Sequence, residues 1–346
     1  MSKIYYRANE FRDGVVKAKT VAFERGMPVG FHTLHENISF KLGYTTYLYS
    51  FPGVGKTTFV NDILLNLAKT KGLKTAIYSP ESGTKESIVA SLIQTYLGKK
   101  MYGSNKSIVS VEEYMEAIDF IDGHFVIFEP NLSSKEANRF SFKEIFNTVH
   151  KAQSDYGWKI DMLIIDPFNF VQRDKEDDRL QMADYALQSL MFVTDASRKM
   201  NMHTVIVTHL QQDELITDKD TGTEYSPKPH PSKIAGGQAF WRTAFMSIGL
   251  WKCPYGVTEK ATGMPYPKDA IDVMVQKAKP FGAGAISVTR MLFDDSKQRY
   301  YEEVDGKDYY IGEYEAYFNN TQAQQLKTKQ LQPSKNWYDT ETDVPF

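Results

Sequence analysis

The segment TYLYSFPGVGKTTFVNDILLNLAK, residues 46–69, constrains the fold more than any other stretch of the chain. A short apolar run, Thr46–Tyr49, meets a glycine-containing loop, then Lys56-Thr57-Thr58, then a helical pattern from Thr57 to Lys69. A chain that passes from strand to helix through such a loop is building a parallel sheet wound with helices. The loop also has a chemistry. Gly53 and Gly55 let backbone amides converge on an anion, and the start of the helix adds further amides and positive potential. Lys56 reaches the terminal phosphates of a bound nucleotide, and Thr57 offers a hydroxyl to Mg²⁺. Ser50, Phe51, Pro52, Gly53, Val54, Gly55, Lys56, Thr57 and Thr58 are therefore the candidate nucleotide-binding residues, with ATP and Mg²⁺ as the expected cofactors. Ser50 stands where the pattern G-x-x-x-x-G-K-[ST] has its first glycine, and a small residue there still lets the loop turn.

Alternating runs extend this unit. Thr75–Tyr78, Phe125–Phe128, Met162–Ile165 and Thr204–Val207 read as further strands, and Lys85–Tyr96, Val111–Ile121, Phe142–Ser154 and Met182–Arg198 as the helices between them. The texture then changes: Phe245–Trp251, Asp272–Gln276, Ala285–Phe293 and Arg299–Glu303 are short strands separated by turns, the pattern of an antiparallel extension. The expected fold class is α/β, a mainly parallel twisted sheet flanked by helices with an antiparallel C-terminal extension. Its core is expected to open at Tyr47. Residues 1–26 read as a linker with a weakly amphipathic helix from Ala8 to about Gly26, residues 27–318 as the main domain, and residues 319–346 as a flexible acidic tail.

Bulk properties exclude several classes. The charged, aromatic start MSKIYYRANEFRDG is no secretory leader, and no apolar run is long enough to cross a bilayer, so a cytoplasmic, membrane-free protein is expected. One cysteine, Cys253, supplies neither a disulfide framework nor a cysteine-rich zinc module. A net charge of -2 means that any contact with nucleic acid must come from local clusters or from a channel assembled by several subunits.

Three more positions carry chemistry. KIDMLIIDPFNFV ends an apolar strand at Asp166, on the sheet edge where ligands sit, and an acid there can hold Mg²⁺ or its waters. GLKTAIYSPE puts Glu81 just past the strand that follows the first helix, as the candidate base for the attacking water. Glu129, at the end of FVIFEP, is its rival, and a helix-start charge beside Ser79 is its bland alternative. HTVIVTHLQQ brings His209 to the same edge, as a reporter of the γ-phosphate.

In this order the motifs resemble the RecA-like P-loop motor of replicative hexameric DNA helicases of the DnaB and Twinkle type, over roughly residues 26–305. GMPVGFHTLHENI resembles the segment leading into the phosphate loop, and SFPGVGKTTF, YSPE, LIIDPFNF and VTHLQQ resemble the successive motifs, with THL closest to the histidine-bearing forms. The resemblance implies a hydrolase that works as a ring, a homo-hexamer, with ATP at subunit interfaces and single-stranded DNA in the central hole. No helical or primase domain precedes residue 26, so priming and loading are expected to fall to other proteins, as in phage or plasmid DNA replication. KIAGGQAFWRTAFMSIGLWK looks like the DNA-contacting loop and strand; Lys228, Lys233, Gly236, Gly237 and Arg242 are its candidate DNA-binding residues, Arg242 standing where the family has a glutamine. DVMVQKAKPFG looks like the family's basic finger, with Lys277 and Lys279 reaching a neighbour's ATP site and Lys279 replacing an arginine. The end, Val344-Pro345-Phe346, resembles the partner-docking tip of bacterial single-stranded-DNA-binding proteins and implies contact with replication proteins. An ATP-gated single-strand binder acting in recombination or annealing, and an ATPase with a protein partner, are the alternatives.

Overall fold

The computed structural model describes residues 7–21, 26–101, 109–129, 139–211, 214–279, 284–314 and 316. Helix α1 (Arg12–Val21) precedes a short ladder of β1 (Met27–Pro28) with β2 (Ser39–Phe40), and then β3 (Thr45–Ser50) and α2 (Lys56–Lys71) form the strand–loop–helix unit. There follow β4 (Thr75–Tyr78), α3 (Lys85–Leu97), α4 (Val111–Asp122), β5 (Phe125–Phe128), α5 (Phe142–Tyr156), β6 (Met162–Ile165), α6 (Met182–Lys199) and β7 (His203–His209). A hairpin of β8 (Ile216–Thr217) and β9 (Glu224–Tyr225) and a short helix α7 (Gly237–Thr243) lead to β10 (Met246–Lys252), β11 (Ala270–Ala278), β12 (Ser287–Asp294), β13 (Arg299–Val304) and β14 (Lys307–Tyr310).

Ten strands make one sheet in the order β14-β13-β12-β11-β10-β3-β7-β6-β4-β5. The run from β10 through β5 is parallel, and β11 to β14 continue it antiparallel. Every residue of β3, β4 and β6 is buried, as a strand covered on both faces requires. Successive side chains of β3 divide between the two faces: Leu48 joins Phe59, Ile63 and Leu67 of α2, while Tyr47 and Tyr49 join the layer of α5, α6 and α7. Ser141, whose hydroxyl accepts the Glu144 amide, caps α5, and Ser110 caps α4 in the same way.

The structure departs from the sequence reading in three places. The run Phe245–Trp251, grouped there with the antiparallel strands, becomes β10, parallel to β3 and antiparallel to β11, so it is the seam between the two halves. Residue alternation reports which faces are covered and is silent on strand direction. The core opens before Tyr47: Val29, Phe31, Leu34 and Ile38 are each no more than 1% exposed, in a stretch of turns without helical or strand periodicity. Strand β14 completes the extension beyond Glu303. Of the linker helix, a 3-10 turn over Ala8–Phe11 and α1 are described, with Phe11, Val15 and Val16 exposed. Residues 22–25 and the tail expected over 319–346 lie outside the described residues. Among the described residues no helix is long and apolar enough to cross a membrane.

Candidate functional site

The C-terminal ends of the parallel strands share one edge, and register fixes what meets there. Ser50 at the end of β3 lies opposite His209 at the end of β7, and Tyr78 of β4 lies opposite Ile165 of β6. The residues that follow these strands, the phosphate loop, Glu81 and Asp166, therefore gather at the same edge.

The loop requires its glycines. Gly53 and Gly55 have φ of +74° and +96°, the left-handed region, and Gly55 caps the start of α2. A Cβ at Gly55 would meet the Tyr300 hydroxyl at 2.2 Å. That hydroxyl, rising from β13, donates to the carbonyl oxygens of Val54 and Gly55, each at 3.2 Å. The Tyr300 amide donates to Asp62 Oδ2 of α2 at 3.0 Å, and Arg299 Nε donates to Asp62 Oδ1 at 3.0 Å. The antiparallel extension thus grips both the phosphate loop and the helix behind it. Tyr300 is a residue the sequence reading missed, because nothing near it in the chain points to a loop some 250 residues upstream.

Lys56 lies folded over the loop. Its Nζ donates to Ser50 Oγ at 3.0 Å and to the Phe51 carbonyl at 3.3 Å, and it is 3.2 Å from His209 Nδ1. Ser50 thus offers the lysine a hydroxyl that a glycine at that position would not. Burial lowers Lys56 to a pKa of about 8, with the negative charges of Asp166 and Glu81 pulling the other way. His209 Nε2 is 2.7 Å from Glu81 Oε2. With a cation on its Nδ1 side and a carboxylate on its Nε2 side, the neutral ring carries its proton on Nε2, an assignment made from these partners.

Thr57 Oγ1 donates to Asp166 Oδ2 at 2.9 Å, and Asp166 is 6% exposed. Burial raises the Asp166 carboxyl above the usual range, opposed by the Thr57 hydrogen bond and by Lys56. One hydroxyl and one carboxylate at a helix start are hard oxygen donors that fit Mg²⁺ with its remaining places taken by phosphate oxygens and water. Among the described residues no group of three or more His, Cys, Asp or Glu could hold a metal by itself. Together Gly53, Gly55, Lys56, Thr57, Glu81, Ser82, Asp166 and His209 line a cleft of about 370 Å³. Beside it Thr58 and the loop form one wall of a second space of about 340 Å³, whose other wall holds Lys252, Lys268, Asp269 and Phe293.

Other candidates fall elsewhere. Glu129 accepts from the Lys85 amide at 3.3 Å and pairs with Lys85 Nζ at 3.0 Å, at the start of α3, so it serves that helix. Glu81 has no such duty, since the cap of α3 is Thr84 and its first-turn acid is Glu86. Lys277 donates to the carbonyls of Trp241 and Arg242 at the end of α7. Lys279 is exposed, and its amide donates to the Phe245 carbonyl at 2.6 Å. Ala278 and Thr46 both pair with Met246, so both lysines lie at the end of β3 away from the phosphate loop, the strand's length of roughly 17 Å from it. The structure does not bring them to the cleft. Lys228 sits over the Trp251 ring at 4.9 Å, Lys233 is exposed, and Arg242 Nη2 donates to Gln238 at 3.2 Å. Gly236 has φ +78° and Gly237 packs so closely that a Cβ would meet the Pro231 carbonyl at 2.3 Å. The Gln211 amide donates to the Lys233 carbonyl at 2.8 Å and Leu210 bridges Ile234, so this loop is tied to the strand that carries His209.

Solved structures share this fold. No family model matches the chain. The chain is 23% identical over 291 residues to the Twinkle homolog protein, chloroplastic/mitochondrial, of Arabidopsis thaliana, a match covering 82% of this chain and 37% of that protein. It thus spans little more than a third of the length of that relative. Among solved structures, one of an ATPase domain superposes with a TM-score of 0.65 at 15% identity, covering 86% of this chain and 98% of that domain. A DnaB-like replicative helicase, described with its interactions with primase, superposes with a TM-score of 0.63 at 15% identity over 86% of this chain and 67% of that one.

Proposed function

Because the chain has the RecA-like fold of the ATPase domains of DnaB-like replicative helicases and is distantly related to a Twinkle homologue, we propose that it is the motor of a DNA-unwinding ATPase. It works as a ring of copies on single-stranded DNA. The observation that carries this reading is the convergence of Lys56, Glu81, Asp166 and His209, from the ends of four separate parallel strands, in one cleft. Lys56 and the amides at the start of α2 receive the β- and γ-phosphates, and the nucleoside extends past Thr58 toward Lys252 and Phe293. Thr57 and Asp166 hold Mg²⁺, which neutralises charge on the transferring phosphoryl group. Glu81 accepts the proton of the attacking water.

His209 links these events. When Lys56 turns to phosphate it leaves His209 Nδ1, so that this nitrogen faces the γ-phosphate while Nε2 keeps its contact with Glu81. The ring donates to Glu81 through Nε2, which holds the base near the water. Loss of the γ-phosphate frees the ring, and the Gln211–Lys233 and Leu210–Ile234 pairings pass that movement to the loop ahead of α7. Lys233, Gly236, Gly237 and Arg242, with Lys228 nearby in sequence, contact the DNA backbone. Lys279, exposed at the far edge of the sheet, reaches the cleft of the next subunit, with Lys277 behind it.

The test is ATP hydrolysis with and without single-stranded DNA, for wild type and Lys56→Ala, joined to strand release from a forked duplex. The motor reading expects stimulation by DNA, loss of about a hundredfold or more in Lys56→Ala, and release that requires ATP rather than ADP or a non-hydrolysable analogue. The engagement of Lys277 on its own α7, together with a lysine in place of a finger arginine, favours a second reading: slow hydrolysis that gates single-strand binding without unwinding. Strand coating or annealing supported by the non-hydrolysable analogue, with no release from the fork, would select it.

A further inference from the structure

Beside the loop that precedes α7 lies a groove of about 370 Å³, lined by His230, Pro231, Ser232, Gly237, Gln238, Trp241 and Arg242. We propose that Trp241 is a stacking platform in this groove for an unpaired nucleobase, so that the strand is held by its bases as well as by its phosphates. The inference rests on the single-strand reading of the same loop and adds a contact of a different chemical kind.

Trp241 is 43% exposed at the groove, whereas Trp251 is 4% exposed in the core. A large aromatic side chain left open to water has a cost that a ligand with a flat apolar face removes. The helix that carries the indole is also held in position. Lys277 donates to the carbonyls of Trp241 and Arg242, closing the end of α7, and the backbone at Gly237 packs directly on Pro231. Rigidity of this kind lowers the entropy lost when a base stacks.

Charge selects the occupant. Arg242 lines the groove, Lys277 Nζ is 5.5 Å from the Trp241 ring centroid, and none of the described lining residues is a carboxylate. Flat faces joined by anions are the chemistry of single-stranded nucleic acid, and aromatic rings flanked by cations accept such bases with little regard to sequence. The tie between Gln211 and Lys233 further connects the groove's own segment to the nucleotide edge, as a grip released once per hydrolysis cycle requires.

The experiment is anisotropy of a labelled oligothymidylate and of an abasic oligomer of equal length, with a non-hydrolysable ATP analogue present. Wild type should prefer the thymidylate. Trp241→Ala should lose on the order of tenfold on the thymidylate and little on the abasic oligomer, and Trp241→Phe should recover most of the loss. Arg242→Ala should weaken both oligomers alike and lower the salt dependence. Equal thymidylate affinity of Trp241→Ala and wild type overturns the stacking role while leaving single-strand binding intact. Wild type that binds neither oligomer removes the motor reading itself. If Trp241→Ala instead elutes as a smaller species in size-exclusion chromatography, the groove is filled by a second copy of the chain and the inference fails.

Discussion

Lys56 is 6% exposed, and its charge is held by Ser50 Oγ and the Phe51 carbonyl. Burial there depresses its pKa from 10.5 to about 8, which means the cleft itself disfavours the proton. The sign of the consequence is set by linkage. The unfolded chain binds this proton more tightly than the folded one, so folding stability from this group rises as pH climbs from about 8 to about 10.5. Phosphate binding acts in the opposite sense, because it favours the charged lysine. Nucleotide affinity measured without Mg²⁺ is therefore expected to decline about tenfold per unit well above about pH 8, with proton uptake there visible by calorimetry in buffers of different ionisation enthalpy. Affinity that is constant to about pH 9.5 would place Lys56 away from the phosphates. The neighbouring choice of Ser50 over glycine belongs to the same scale: it is legible as a departure from the motif, but its partner is Lys56, six residues away and brought back only by the turn of the loop.

At the scale of elements, the decisive connection runs from β13 to α2. Tyr300 and Asp62 are each 1% exposed, and the bonds between them hold the phosphate loop from beneath at Val54 and Gly55. Tyr300→Phe keeps the ring among Phe59 and Phe293 and removes only the hydroxyl, so the fold should remain while nucleotide KM rises about three- to tenfold with kcat less affected. Gly55→Ala is expected to abolish nucleotide binding, and adding Tyr300→Phe should not restore it, because φ of +96° still opposes a side chain after the clash is gone. Full recovery in the double variant would show that the clash alone matters. Equilibrium binding of a fluorescent nucleotide reads all three proteins. The pairing of β10 with β3 works at this scale too: it welds a parallel half that carries the candidate site to an antiparallel half that supports it.

At the scale of the whole molecule, the sheet separates two sets of functional candidates. Lys56, Glu81, Asp166 and His209 occupy one edge, and Lys277 and Lys279 occupy the other, so a site that used both sets would need two copies of the chain. A ring that sets the far edge of one subunit against the near edge of the next would complete it. Lys279→Ala and Lys56→Ala should each be nearly inactive alone, yet mixed equally they should regain activity at about a quarter of the interfaces, those with an intact Lys56 on one side and an intact Lys279 on the other. A mixture no more active than its components would exclude a shared site.

The contiguous stretch from Thr46 to Lys69 was enough to specify a strand, a glycine-containing loop and a helix, because each is made by residues close in the chain. The strand ends at Asp166 and His209 were readable for the same reason, since apolar runs mark where strands stop and parallel winding sends their ends to one edge. Packing alone decided the rest. The Tyr300 support, the wall of Lys252 and Phe293, the seam role of β10, the pairing of Glu129 with Lys85, and the hold of Lys277 on α7 all join residues far apart in the chain. Local pattern records which face of an element is buried; which distant side chain covers it, and which polar atom that side chain satisfies, emerge only when the layers close around the sheet.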